Sequence, residues 1–148
     1  MNAKEPTILM IEDNPDDAEL TGIALERINM LEETLWISDG ALAMDFFLGK
    51  GKFINPDRLS KLKMVFLDLK LPKLNGFQVL ERLRAINEFE YLPVTILSSS
   101  AVQDDFKHAM NLGANSYLVK PIDFKTQALH IRKAIEFWTN VHLSFDKC

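Results

Sequence analysis

Glu12 and Asp13 follow an apolar run at Ile8–Ile11, and Asp68 follows a second run at Met64–Leu67. Carboxylates brought together repel and raise one another's pKa values, and a bound divalent cation removes that conflict. An all-oxygen set without His or Cys selects a hard ion, and a site that keeps several waters suits Mg2+. A pocket with one metal and one spare carboxylate is a place to put a phosphoryl group, because carboxylates attack phosphorus to give acyl phosphates. Each acid alone has a plainer use, since an Asp after a strand is often only a helix cap. The weight lies in the conjunction with Ser98-Ser99-Ser100 after a third apolar run and Lys120-Pro121 after a fourth. A small hydroxyl and a compact ammonium are what a phosphoryl oxygen needs.

The elements that must position these residues alternate strictly. Strands are expected at Thr7–Ile11, Leu35–Ser38, Met64–Leu67, Val94–Ser98 and Ser116–Val119. Helices are expected near Asp16–Asn29, Ala41–Leu48, Gly76–Ala85, Gln103–Leu112 and Phe124–Leu143. Nearly continuous apolar strands fit a parallel sheet covered on both faces. Five strand–helix units in alternation predict an α/β doubly wound fold, a single domain over 1–148 with its core at about 7–143. In such a sheet every strand points the same way, so the acids, the serines and the lysine share its carboxyl edge, where open α/β sheets place ligands. Gly113 falls where a left-handed cap of the fourth helix is due.

Composition excludes several classes. Lys and Arg number 17 against 21 Asp and Glu, a net −4 that gives no basic footprint for nucleic acid. No apolar run exceeds four residues, against the roughly 20 of a membrane helix, and no signal peptide is visible, so a cytoplasmic protein is expected. Cys148 is the only cysteine, which excludes an internal disulfide, and His108, His130 and His142 share no ligand spacing. The stretch 49–63 carries Lys50, Lys52, Arg58, Lys61 and Lys63 against Asp57. It reads as a solvated connector, or else as a docking loop for an acidic partner. Its Gly49-Lys50-Gly51-Lys52 lacks the spacing of a phosphate loop.

Ile-Leu-Met-Ile-Glu-Asp-Asn (8–14), Val-Phe-Leu-Asp-Leu-Lys-Leu-Pro-Lys-Leu-Asn-Gly (65–76), Leu-Pro-Val-Thr-Ile-Leu-Ser-Ser (92–99) and Gly-Ala-Asn-Ser-Tyr-Leu-Val-Lys-Pro (113–121) resemble the receiver domain of bacterial response regulators. The resemblance covers about 7–140 and implies a flavodoxin-like (βα)5 sheet in the order 2-1-3-4-5. It implies Asp68 as phospho-acceptor and Asp13 as a direct Mg2+ ligand. Glu12 would be a ligand through water, and Lys70 would lend its backbone carbonyl. Ser98 and Lys120 would meet the phosphoryl group, Tyr117 would be the switch aromatic, and the Lys120–Pro121 bond would be cis. Lys70 and Ser100 hold positions that tune phosphoryl lifetime in the family. The phosphate donor would be a histidine kinase, and the readout face the fourth helix, fifth strand and fifth helix.

The long connector and Ile135-Glu136-Phe137-Trp138 are similar to stand-alone receivers that pair with phytochrome-type kinases, with no room for an output domain. On the last helix Phe124, Ala128, Ile131, Ile135, Trp138 and Val141 form one stripe, with Leu129 and Phe137 beside it, which reads as a homodimer or partner surface, or else as a broad core face. Three other readings fit these residues less well. A receiver fold that works by binding alone has no need of the retained acids. A phosphohydrolase would carry a second Asp where Lys70 stands. In a flavin binder, Glu12-Asp13-Asn14-Pro15-Asp16-Asp17 would repel the flavin phosphate. The function expected is therefore that of a signalling switch, not of a turnover enzyme.

Overall fold

Ile8-Leu9-Met10-Ile11 and Met64-Val65-Phe66-Leu67 are apolar at every position, and all eight side chains are buried. That pattern suits a central strand with helices on both faces. In the computed structural model, which describes residues 1–144, they are neighbours in a five-stranded parallel sheet. The strands are β1 (Ile8–Ile11), β2 (Thr34–Ile37), β3 (Met64–Leu67), β4 (Val94–Ser98) and β5 (Ser116–Val119), in the order β2-β1-β3-β4-β5. Five helices alternate with them: α1 (Pro15–Arg27), α2 (Gly40–Leu48), α3 (Gly76–Arg84), α4 (Gln103–Asn111) and α5 (Phe124–Glu136).

Side chains alternate across the pleat, so each central strand feeds two cores. Ile8, Met10, Met64 and Phe66 pack with Ala24 and Leu25 of α1 and Ile131 and Ile135 of α5. Leu9, Ile11, Val65 and Leu67 pack on the other face with Phe46 and Phe47 of α2, Val79 and Leu80 of α3, and Ala109 of α4. The doubly wound fold and its strand order therefore stand as expected. At the β2 edge, Asn2 forms an antiparallel bridge with Leu35, and Met1 O accepts from Trp36 N, so the N-terminal residues cover an edge that would otherwise be open to pairing.

Boundaries differ in places, each for a local reason. Strand β2 begins at Thr34 rather than Leu35, because Thr34 continues the ladder opposite Ile8 while Ser38 leaves it to precede Asp39, the α2 N-cap. Helix α1 ends at Arg27, since Asn29 turns left-handed at φ 59°. Gly113 is left-handed at φ 104°, as its position after α4 predicts. Helix α5 does not run to Leu143. Phe137–Val141 widens into a π turn in which His142 N donates to Phe137 O at 2.7 Å and Thr139 Oγ1 donates back to Ile135 O at 2.6 Å.

The 49–63 connector is pinned to the fold. Arg58 donates from Nε to Phe46 O at 2.6 Å and from Nη2 to Phe47 O at 2.8 Å, capping the carbonyls at the end of α2. Lys63 Nζ donates to Thr139 O at 3.3 Å, in the π turn. Two of the five basic side chains are thus engaged by backbone carbonyls, which favours the connector over a docking loop. Cys148 lies outside the described residues.

Candidate functional site

Backbone hydrogen bonds that extend the ladder fix the strand-end acids. Glu12 N donates to Ile37 O and Asp68 N to Ile11 O, each at 3.0 Å. Trp36 Nε1 donates to Glu12 O at 2.7 Å, which locks the turn out of β1. Asn14 caps α1, accepting from Asp16 N at 2.9 Å and Asp17 N at 3.3 Å, with Pro15 at the first helical position. On the far side, Gly76 opens α3 so close to Asp68 that a Cβ there would lie 2.3 Å from the Asp68 carbonyl oxygen. Only glycine lets α3 begin at that distance.

Glu12 and Asp68 are buried and Asp13 is exposed, and all three offer ligand oxygens within 4.8 Å of one another. Lys120 crosses from the end of β5 to meet them. Its Nζ donates to Glu12 Oε1, to Asp17 Oδ2 at 2.8 Å and to Asp68 Oδ2 at 3.0 Å. Burial alone would lower the pKa of this ammonium. The hydrogen bonds to Asp17 and Glu12, with the charges of Glu12 and Asp68, outweigh that and hold it above the ordinary lysine value. The Glu12 carboxyl is pushed up to about 8, chiefly by burial and then by Asp68 beside it, against the opposing pull of Lys120. One ammonium faces Glu12, Asp13, Asp17 and Asp68, so the site is short of positive charge. A divalent cation among oxygen ligands fits it.

The pocket over these acids has a volume of about 520 Å³ and is lined by Asp13, Lys70, Asn75, Ser98, Ser100 and Asp105, among others. Residues 8–132 match the response regulator receiver domain family. This chain belongs to that family. The receiver is 33% identical over 142 residues to the probable methanogenesis regulatory protein FilR2 of Methanothrix harundinacea, spanning 93% of this chain and 87% of that one. Response regulator Rcp1 of Synechocystis is 30% identical over 131 residues, covering 88% and 87%. The structure of Rcp1 in its Mn2+-bound form superposes with a TM-score of 0.81, covering 93% of this chain and 98% of that one. The phosphorylated cyanobacterial phytochrome response regulator RcpA superposes with a TM-score of 0.83 at 29% identity, covering 92% and 95%. The receiver is a response regulator of two-component signalling, a family of signalling domains.

The structure brings most of the expected residues together. Glu12, Asp13, Asp68 and Lys120 meet directly. Lys70 stands exposed at the rim, and its N–H donates to Asp68 Oδ1 at 3.1 Å. Ser98 is fully buried beside the pocket, where its Oγ accepts from Ser100 N at 3.2 Å. Tyr117 is half-buried. Its hydroxyl donates to Ser100 O at 2.9 Å, and its ring meets Phe106 of α4 edge-on at 5.7 Å. The Lys120–Pro121 peptide is trans, not cis as the resemblance implies. Trans is the lower-energy isomer of an X–Pro bond, and in it Lys120 already reaches its carboxylates.

Three functional contacts were not legible. Asp17 is a partner of Lys120, Asp105 accepts from Ser100 Oγ at 2.6 Å, and Trp36 holds Glu12. Asp17 and Asp105 read as acids near helix N-termini, which is sufficient reason for either.

Proposed function

We propose that this receiver accepts a phosphoryl group on Asp68 from a histidine kinase of phytochrome type, and that the new charge changes partner binding along α4, β5 and α5. The observation that carries this reading is the convergence of Asp68 with Glu12 and Asp13 on one side and the Lys120 ammonium on the other. Relatives described as phosphorylated and as Mn2+-bound support it.

An Asp68 carboxylate oxygen attacks phosphorus and forms the new P–O bond. The P–N bond to the donor histidine breaks, its electron pair leaves on the imidazole, and that ring takes up a proton. Asp68 becomes an acyl phosphate. Lys120 turns toward the phosphoryl oxygens as a point charge, and Ser98 Oγ offers them a hydroxyl. Tyr117 responds as its hydrogen bond to the Ser98–Ser100 turn is remade. Asp13, Asp68 and the Lys70 carbonyl would hold Mg2+, with Glu12 reaching it through water, and the ion would supply charge neutralisation on the transferring oxygens.

The domain acts as a phospho-acceptor rather than a turnover enzyme. It works in the cytoplasm without nucleic acid, in keeping with its net −4 charge and with the lack, among the described residues, of any helix long and apolar enough to cross a membrane. Two copies pair through the C-terminal helical segment, where Leu129 of α5 and Phe137 of the π turn are both exposed. The test is intact-protein mass after incubation with Mg2+ and a small acyl-phosphate donor, comparing wild type with Asp68→Asn. One acid- and base-labile phosphate is expected on wild type, absent from the variant and after chelation. A wild type left unmodified by this donor and by purified histidine kinases would overturn the reading.

A further inference from the structure

We infer that Asp17, on the first turn of α1, is a positioning residue for phosphoryl transfer: it anchors the Lys120 ammonium over Asp68 while Glu12 and Asp68 are drawn to the metal and the phosphoryl group. The inference rests on the Asp68 reading and deepens it.

A lysine ammonium has three N–H donors. Here each has a carboxylate, Glu12, Asp17 at 2.8 Å and Asp68 at 3.0 Å. Two of these acids belong to the group whose oxygens lie close enough to share a cation, and Asp17 does not. Cation binding and phosphoryl transfer therefore recruit Glu12 and Asp68 and leave Asp17 as the partner with no second duty. The position is built for it. Asn14 Oδ1 accepts from Asp17 N, Pro15 fixes the first helical turn, and the Lys120 side chain is only 10% exposed against 32% for Asp17. Asp17 thus reaches the buried ammonium from the solvent side. Without it, the Nζ keeps only partners that the reaction removes, and Lys120 is free to leave the pocket.

An acid in the first turn of a helix also favours the helix dipole, and Asp16 supplies the control for that effect. Asp16 is exposed on the same turn, and the ion pairs of Lys120 are with Glu12, Asp17 and Asp68 rather than with it. The experiment measures phosphorylation by the small acyl-phosphate donor at saturating Mg2+ for wild type, Asp17→Ala, Asp17→Asn and Asp16→Ala. Two further readouts are Mg2+ affinity from Trp fluorescence and the acylation of Lys120 by an amine reagent in metal-free protein, followed by mass spectrometry.

Asp17→Ala is expected to slow phosphorylation on the order of tenfold, the size of a lost charged hydrogen bond, and to raise Lys120 labelling. Its Mg2+ affinity falls by less than its rate at saturating Mg2+, since Asp17 is outside the group of acids that can share the cation. Asp17→Asn keeps an acceptor oxygen for Nζ and recovers most of the rate, and Asp16→Ala behaves as wild type. Should Asp17→Ala fold too poorly to assay, Asp17→Ser, which fits a helix N-terminus but is too short to reach Nζ, carries the same expectation. An unchanged rate and unchanged labelling in the Asp17 variants, with wild type still modified on Asp68, would overturn this inference alone. So would equal losses in Asp16→Ala, or a loss of rate fully matched by a loss of Mg2+ affinity. A wild type not modified on Asp68 takes down the parent reading as well.

Discussion

Glu12 lies only 4% exposed against Asp68 and Lys120, and its carboxyl is held up to about 8. In metal-free protein between about pH 4.5 and 8 the folded state therefore binds a proton that the unfolded chain has released. Stability then falls as pH rises through that window, by at most about 1.4 kcal/mol per pH unit from this group. Lys120 shifts in the same direction but in a higher window: its raised pKa contributes stability that is complete below the ordinary lysine value and is lost only at higher pH. The two windows are separate, so the neutral range reports Glu12. Urea unfolding of chelated protein at pH 5.5, 6.5 and 7.5 is expected to show the decline, and Glu12→Gln to flatten it. Mg2+ displaces that proton, so its apparent affinity climbs with pH and levels off above about 8. A metal-free stability that stays flat or rises over this range would contradict the assignment.

Of the five helices, α4 has the weakest hold on the fold. Ala109 is its only buried residue, and its N-cap, Val102, offers no side-chain acceptor. Two ring contacts tie it to its neighbours: His108 stacks on Phe77 of α3 at 4.2 Å, and Phe106 meets Tyr117 of β5. A helix held by surface ring contacts opens at low free-energy cost, which suits an element whose displacement must be readable by a partner. Amides of α4 are expected to exchange hydrogen faster than those of α1, α3 and α5. Val102→Ser supplies the missing cap at a site already 58% exposed, so little packing is lost. About 1 kcal/mol of added stability follows, with the slowing of exchange concentrated in α4. Exchange slowed evenly across the molecule, or not at all, would place the labile element elsewhere.

The same scale shows how far the sequence reaches. Strands β1, β3 and β4 are legible because a parallel strand between two helical layers must be apolar on both sides. The α5 terminus is not, since its π turn depends on Thr139 and on Lys63, which lies 76 residues away. The strand order came from family resemblance, because four-residue apolar runs carry no mark of their neighbours. Within the site, Glu12, Asp13, Asp68 and Lys120 are legible because each sits one or two residues past a strand in a sheet whose strands all point one way. Asp17 reaches Lys120 across 103 residues, and no local pattern encodes that pairing.

At the scale of the whole molecule, a net charge of −4 opposes self-association only weakly, while one flank invites it. The stripe on the last helix and the residues beside it differ in burial. Ile131 and Ile135 are buried in the core, whereas Leu129 and Phe137 are 38% and 46% exposed. Beside Phe137 lies a groove of about 380 Å³ lined by Leu118, Ala134, Phe137 and Trp138 among others, with the Phe137 ring set edge-on to Trp138 at 4.7 Å. Strand β5 borders this groove and, among the described residues, has only β4 as a strand neighbour. An aromatic ring on an apolar groove beside an unpaired strand is the kind of anchor that dominates an interface. Phe137→Glu puts a desolvated charge there and is expected to convert a wild-type dimer into a monomer. Sedimentation at matched concentrations reads the mass directly. Phosphorylation of Asp68 by the small donor is expected to survive in the variant, because Phe137 lies outside the lining of the acidic pocket. Equal masses for wild type and Phe137→Glu, with partner affinity also unchanged, would mean that this flank is merely a broad edge of the core.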